Sequence, residues 1–353
     1  MEKTKKSVRR KTRGVTIAEV AALAGVSPMT ISRVVNGQGK VRDATRERVM
    51  RAVRELNYTP NLAASSLAAA QHTRIALVYT NPSGAYLREL LVGLLRVASG
   101  TAIQLVIDYW DELDADAERK CARALAKRVD GVILPPPLCE SRAAVTEFVR
   151  AGVPVVAIAS GHFSDDISCV RVDEFSAGKE ITQHLIEQGH TRIACIKGRP
   201  DLSATTRRFE GFKAALDEAG LALDAALVQQ GDYTYRSGLT ATEKLLGLRK
   251  PPTAIFASND DMAAAAISVA HRRGLDVPRD LSVVGFDDSS AATMVWPELT
   301  TINQPIASMA NAAIDVLVRG IRRNDSSTRV LTDHVVAHRF IARDSVAPPR
   351  RQK

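Results

Sequence analysis

The sequence predicts a small all-α head followed by an α/β body of two doubly wound parallel-sheet subdomains. Three observations carry this. The first sixty residues show helical periodicity in short segments, whereas the rest alternates short apolar runs with amphipathic helices. The chain has 353 residues, too many for one core and enough for two or three domains. Its charge divides the same way. Residues 1–60 hold fourteen Lys/Arg and five Asp/Glu, and the remainder holds 34 of each sign, so the net charge of +9 sits entirely in the head. A basic head on a neutral body suits a polyanion-binding unit attached to a body with another task.

Composition narrows the class. Apolar residues make up 45% and charged residues 25%, as in soluble globular proteins. No run of about 18 apolar residues occurs, so no membrane span is expected. The first thirteen residues are charged and carry no apolar stretch, so no secretory signal is expected. Cys121, Cys139, Cys169 and Cys195 lie far apart with no C-x-x-C pair, which favours reduced thiols in the cytoplasm over a disulfide frame or zinc site.

In the head, TIAEVAALAG predicts a first helix. Thr16 and Glu19 have capping-box spacing, Ile17, Val20, Ala21 and Ala24 share a face, and Gly25 ends it. Ser27 caps a second helix that opens with Pro28, where a missing N–H costs nothing. Ile31, Val34 and Val35 form its inward face, with Thr30, Ser32, Arg33 and Asn36 outward and Gly37 as the stop. A third helix spans Asp43 to Asn57, with Asp43 as its cap. Two short helices across a glycine turn, closed by a third, form a helix-turn-helix unit. In such a unit the second helix enters the DNA major groove. A plain three-helix bundle fits the pattern alone; the charge asymmetry favours the DNA-binding reading.

After Tyr58 comes TPNLAASSLAAAQ. Pro60 breaks the third helix and can open another, with Leu62, Ala63, Ala64, Leu67 and Ala68 as an apolar side. A helix of fewer than about 12 residues is marginal alone and needs a partner. A flexible linker fits the alanine content equally well.

The stretch from Val15 to Ala68 resembles, without a gap, the DNA-binding head and hinge of the LacI/GalR family of bacterial transcription regulators. The resemblance implies base contacts from Pro28, Met29 and Arg33, and phosphate contacts from Thr16, Thr30, Ser32 and Asn36, with Ser27 counted among the DNA-binding residues. The in-register N-x-x-A-x-x-L match implies that Asn61, Ala64 and Leu67 belong to a hinge helix that folds on the operator, with Leu67 wedged into the minor groove. The chain departs from the family at the reading positions, where Pro28 and Met29 are apolar. Base hydrogen bonding therefore falls mainly on Arg33, with Met29 available to a thymine methyl.

In the body, candidate strands are 74–80, 104–108, 131–135, 153–159, 169–173, 192–198, 253–258 and 281–288. Helices such as Glu180–Gln188, Arg207–Ala219 and Met262–Arg273 lie between them. Near-continuous apolar strands alternating with helices indicate parallel sheets covered on both faces. Ligands of open α/β sheets lie at the carboxyl ends of strands. There the sequence places Asp173, Arg208, Asn259, Asp260, Asp287 and Asp288, with Tyr79, Tyr86, Trp110, Phe212 and Tyr233 as aromatic candidates. One such polar residue is ordinary helix capping; several suggest a cleft for a small polar ligand.

VDEFSAG, RRFEGFKAAL, FASNDDMA, LSVVGFDD and LTTINQP extend the resemblance to the family's effector domain, which is similar to periplasmic sugar-binding proteins. The resemblance implies effector contacts at Asp173, Arg208, Asn259, Asp287 and Gln304 and an aromatic stacking contact at Tyr233; Tyr79, one of the aromatic candidates, is counted with the effector-binding residues. It implies a ligand-responsive repressor of carbohydrate-utilisation genes, with a sugar effector; a nucleoside-responsive regulator of the same build is the alternative, and a sugar-binding or sugar-modifying protein a more distant one. The expected partners are a pseudo-palindromic double-stranded DNA operator, a small ligand and a second copy of the chain. A dimer rather than a tetramer is expected, because the end VAPPRRQK carries no heptads.

No cofactor or metal is expected. No P-loop, G-x-S-x-G or H-E-x-x-H motif occurs, and His334 and His338 fit an edge strand better than a metal site. The expected divisions are a disordered basic tail over 1–13, the head over 14–59, the hinge over 60–72, and the body over 73–343. Within the body, 73–173 and 305–331 form one subdomain and 174–304 and 332–343 the other, with a flexible tail over 344–353.

Overall fold

The computed structural model describes residues 17–35, 42–56, 72–80, 83–111, 113–161, 165–322 and 331–350. The chain divides into two compact units, residues 1–72 and 73–353. Thr16, Asn36, Asn61, Ala64 and Leu67 fall outside the described residues, as do the side chains of Ser32 and Arg33.

In the first unit, α1 (Ile17–Ala24), α2 (Pro28–Val35) and α3 (Asp43–Glu55) pack around Val20, Ala21, Ala24, Ile31, Val34, Val49 and Ala52. Gly25 turns the chain between α1 and α2 at φ +63°, a conformation that disfavours a side chain. The Ser27 hydroxyl caps α2 by accepting from the Thr30 N–H at 3.3 Å. The expected cap of α3 is corrected. Helical geometry already begins at Asp43, so the cap position falls on Arg42, which makes no side-chain cap bond.

The second unit holds two parallel sheets. The strands of the larger are β1 (Thr73–Tyr79), β2 (Ile103–Tyr109), β3 (Gly131–Leu134), β4 (Val155–Ile158), β5 (Ser168–Arg171) and β11 (Asp333–Val335). Their order is β11-β5-β4-β3-β1-β2. One face buries Leu77, Ile133 and Ile158 against α4 (Gly84–Ser99) and α12 (Ile306–Arg322). The other buries Val78, Val132 and Ala157 against α5 (Ala115–Ala126) and α6 (Arg142–Arg150). Helices on both faces explain why these strands read as continuous apolar runs.

The smaller sheet has the order β7-β6-β8-β9. Its strands are β6 (Ile193–Lys197), β7 (Val228–Gln230), β8 (Ala254–Ala257) and β9 (Ser282–Val284). Helices α7 (Glu174–Glu187) and α8 (Ser203–Glu218) cover one face, and α9 (Tyr235–Leu246) and α10 (Asp260–Arg272) the other. The short α11 (Ser290–Met294) follows β9. An antiparallel pair, β10 (Thr301–Asn303) with β12 (Arg339–Ile341), lies beside this sheet.

Two expected boundaries are corrected. Residues 332–335 belong to the N-terminal subdomain, because β11 pairs with β5 and Arg171 grips Asp333 through two bonds of 2.8 Å. The last crossing to the C-terminal subdomain therefore comes after Val335. Residues 344–350 are not a free tail. The fully buried Ser345 hydroxyl donates to the Val283 carbonyl at 2.6 Å and accepts from the Thr300 N–H at 2.8 Å. Ala347 donates to the Ser282 hydroxyl, and its carbonyl lies 3.0 Å from His190 Nε2.

Candidate functional site

A cavity of about 490 Å³, including its mouth, opens between the two sheets of the body. Its walls are the loops after strand ends and the first turns of the helices that follow them, the place where open parallel sheets bind ligands. The N-terminal subdomain contributes Ser83, Tyr86, Pro136, Pro137 and Ala159. The C-terminal subdomain contributes Arg199, Leu202, Ala204, Arg208, Tyr233, Asn259 and Asp287, and Gln304 lies at a crossing between the two.

Arg208 is the fixed point. It is 4% exposed and donates to both Glu174 oxygens, at 2.5 and 3.2 Å, and to the Ser258 carbonyl at 2.6 Å. Its guanidinium lies 3.7 Å from the centroid of the Phe286 ring. Burial is the largest single influence and opposes its charge, but Glu174, Tyr233 and Asp287 together outweigh it and hold the pKa above the ordinary arginine value. The guanidinium keeps N–H groups to spare beyond these three bonds.

Asp287 follows β9 with φ 118°, strained backbone for a residue with a side chain. Its carboxyl accepts from Gln304 Nε2 at 2.7 Å. Burial pushes its pKa well up, Arg208 opposes this, and the nearby Asp260 carboxyl adds to it. Asp260 is itself raised to about 7, first by burial, although Thr301 and Ser289 donate to it.

Tyr233 also has positive φ, 72°. Its hydroxyl pairs with Thr205 Oγ1 at 2.7 Å, and burial raises its pKa to about 12. The ring occupies space that a side chain at position 198 would need: a Cβ added to Gly198 would collide with it. Asn259 is spent on structure. Its Oδ1 caps α10 by accepting from the Met262 N–H, and its Nδ2 donates to the Tyr233 carbonyl. It positions Tyr233 while lining the wall.

Arg208, Tyr233, Asn259, Asp287 and Gln304 are thus brought together, and Asp173 and Tyr79 are not among the lining residues. Asp173 caps α7 by accepting from the Ser176 N–H and hydroxyl. Tyr79 pairs with the Tyr109 ring at a centroid distance of 5.1 Å. Of the other aromatic candidates, Tyr86 lines the cavity, whereas Phe212 stacks in the core and Trp110 packs on Phe148. Sequence reasoning missed Glu174, whose place as the first residue of α7, just after the cap Asp173, gave no sign that it faces Arg208. It also missed the apolar wall of Pro136, Pro137, Ala159 and Leu202. His338 pairs with Glu180 at 3.0 Å, and His334 sits in β11. No cluster of three metal-ligating residues occurs among the described residues.

In the head, Ser27, Pro28 and Met29 at the start of α2 are exposed, with Met29 65% exposed, and Thr30 is half-buried. Arg46, Arg48, Arg51 and Arg54 on α3 are exposed. A three-helix head whose second helix starts with exposed residues, in one chain with a two-sheet body that has a polar cleft, defines a ligand-responsive DNA-binding protein.

Known proteins agree. The model for bacterial regulatory proteins of the lacI family matches residues 16–61, and that for a periplasmic binding protein-like domain matches residues 182–346. The transcriptional regulator DegA of Bacillus subtilis (strain 168) is 38% identical over 297 residues, 83% of this chain and 88% of that protein. A CelR–cellobiose complex superposes with TM-score 0.71 at 34% identity, covering 94% of this chain and 99% of the other. A lac repressor dimer bound to operator and the anti-inducer ONPF gives TM-score 0.71 at 27% identity, covering 95% and 100%. The chain belongs to the lacI family of bacterial regulatory proteins. It is therefore a transcriptional regulator that binds DNA and answers a ligand, not an enzyme. No helix among the described residues is long and apolar enough to cross a membrane.

Proposed function

We propose that the chain is a homodimeric repressor acting in the cytoplasm, whose two heads read a pseudo-palindromic operator and whose effector is a sugar held in the cleft. The observation that carries the effector reading is the convergence of Arg208, Asp287 and Gln304 beside the Tyr233 ring. An arginine fork, a carboxyl and an amide around an aromatic face suit a ring rich in hydroxyls. The similar CelR structure was solved with cellobiose. Pro28, Met29 and Arg33 are the proposed base-reading residues of the head, with Ser27 beside them, Thr16, Thr30, Ser32 and Asn36 on the operator phosphates, and Asn61, Ala64 and Leu67 in the hinge, Leu67 at the minor groove.

A dimer gives two such heads, as operator symmetry requires. Leu95 on α4, Ile107 and Tyr109 on β2, and Met294 and Trp296 near α11 are large apolar side chains left exposed. A second copy would cover such surface.

The test is a thermal-shift and calorimetric screen of the full chain against sugars, sugar phosphates and nucleosides, followed by operator binding with and without the hit. A sugar that stabilises the protein and changes operator affinity is expected. A nucleoside as the sole hit would replace the sugar in this reading.

A further inference from the structure

We propose that the Tyr86 hydroxyl is the group through which a bound ligand engages the N-terminal subdomain, and that it does so by hydrogen bonding to an uncharged hydroxyl of that ligand. The inference rests on the cleft being the effector site. Among the described residues, two buried side-chain polar atoms have no hydrogen-bond partner, Tyr86 Oη and Gln304 Oε1. Tyr86 is 6% exposed and Gln304 3%, and both line the same cavity. A buried polar atom left unpaired costs free energy, so native structures rarely keep one without a use. Two in one cavity are a docking pattern waiting for a partner.

The walls of the cavity are unequal. The C-terminal subdomain brings the charged and amide groups. The N-terminal subdomain brings the apolar Pro136, Pro137 and Ala159, with Ser83 and Tyr86 as its polar side chains. Ser83 is engaged with the scaffold: its hydroxyl donates to Asp261 at 2.8 Å and accepts from the Tyr86 N–H at 3.3 Å. The phenol is what this subdomain has left to offer a ligand by side-chain hydrogen bonding.

The chemistry of the two atoms selects the ligand group. Gln304 Oε1 only accepts, so the ligand must present a donor to it. Tyr86 Oη both donates and accepts. A phosphate or carboxylate has no proton for Gln304. It would also meet the Asp287 carboxyl and a guanidinium already matched to Glu174. A sugar hydroxyl gives and accepts at once and carries no charge.

The position of Tyr86 makes the bond conditional. A ligand held by Arg208 and Asp287 gains the Tyr86 bond only when the N-terminal subdomain closes on it. That is a contact made in one conformation and not in the other, which a ligand needs in order to shift an equilibrium.

The experiment uses the full chain and its Tyr86→Phe variant, with D-glucose, D-ribose, cellobiose and glucose 6-phosphate as probes. Melting temperature, calorimetric affinity and small-angle scattering are measured. Without ligand, the variant should melt at or above the wild-type temperature, because it loses only an unpaired hydroxyl. The sugar that stabilises the wild type should bind the variant about five- to tenfold more weakly and contract it less. Equal affinity and equal contraction would overturn the inference alone, as would a clearly lower melting temperature without ligand. Preference for glucose 6-phosphate over glucose would overturn the uncharged-hydroxyl part. If no sugar acts on the wild type, the sugar reading of the cleft fails and this inference fails with it.

Discussion

The carboxylate of Glu140, in the N-terminal subdomain, accepts from the backbone N–H of Ser203, the first residue of α8 in the C-terminal subdomain, at 3.0 and 3.1 Å. The Ser203 hydroxyl donates to the same carboxylate and accepts from the Gly161 N–H at 2.9 Å. Helix α8 has no side-chain cap of its own, since Leu202 occupies the cap position. One subdomain therefore caps a helix of the other, with a negative group at a positive helix end.

Glu140→Ala should consequently loosen closure. A lost cap costs about 1 kcal/mol, enough to shift a two-state equilibrium about fivefold. Small-angle scattering without ligand should show a larger radius of gyration, and the Ser203 amide should exchange faster. An unchanged radius together with unchanged exchange would mean that this contact does not govern closure.

Glu174→Gln should strip the buried Arg208 of its charge partner. Breaking a buried pair from one side costs about 3–5 kcal/mol. The urea midpoint of the body should fall, and ligand affinity should fall with it because the guanidinium loses its orientation. A wild-type midpoint in the variant would show that Arg208 finds another carboxylate, with Asp287 the candidate.

The buried Asp260 carboxyl sets a pH dependence. Its pKa in the fold is raised to about 7 from an ordinary 3.8. Between these values the folded protein holds a proton that the unfolded chain has lost. Its contribution is complete below the unfolded pKa and is lost as pH rises through about 7. Asp287, also raised, acts in the same direction. Asp260→Asn imitates the protonated form, so from pH 5 to 8 the wild-type urea midpoint should fall relative to the variant. Parallel pH curves for the two proteins would show that Asp260 does not titrate in this range.

Arg33→Ala tests the reading of the head. With Pro28 and Met29 offering no side-chain donor, loss of the arginine should cost about 1–3 kcal/mol at a guanine position and relax preference there. Binding measured against a library of operator variants checks it. An unchanged base preference would move the reading role elsewhere in the head.

Much of this architecture was legible because long strands and the head helices repeat apolar residues at the spacing their geometry demands. The rest was hidden for physical reasons. The starts of α7 and α8 were placed too late, by six and four residues. Near them the helices approach through Gly178 and Gly211, where an added Cβ would strike the facing backbone, so small residues replaced the apolar marks a sequence shows. Of the five three-residue strands, β9 lies in a longer apolar run that marks it, whereas β7, β10 and β12 have no such run around them and are too short for a period to emerge. The pairing of Arg208 with Glu174 joins residues 34 apart and has no local signature. The ending after Arg343 looks like linker because of its prolines, yet a small set of hydrogen bonds at Ser345 and Ala347, to residues far back in the sequence, holds it in place.

The chain passes between the subdomains three times among the described residues, after β5, after β10 and after β11. Neither half is therefore a continuous stretch of gene. A fragment expressed from Thr73 to Asp173 would lack α12 and β11, and with them a covering helix and an edge of its sheet. Swapping ligand preference between relatives by recombination would need several exchanged segments rather than one. Three connections in place of one also mean that the halves cannot be parted by cutting the chain at a single point.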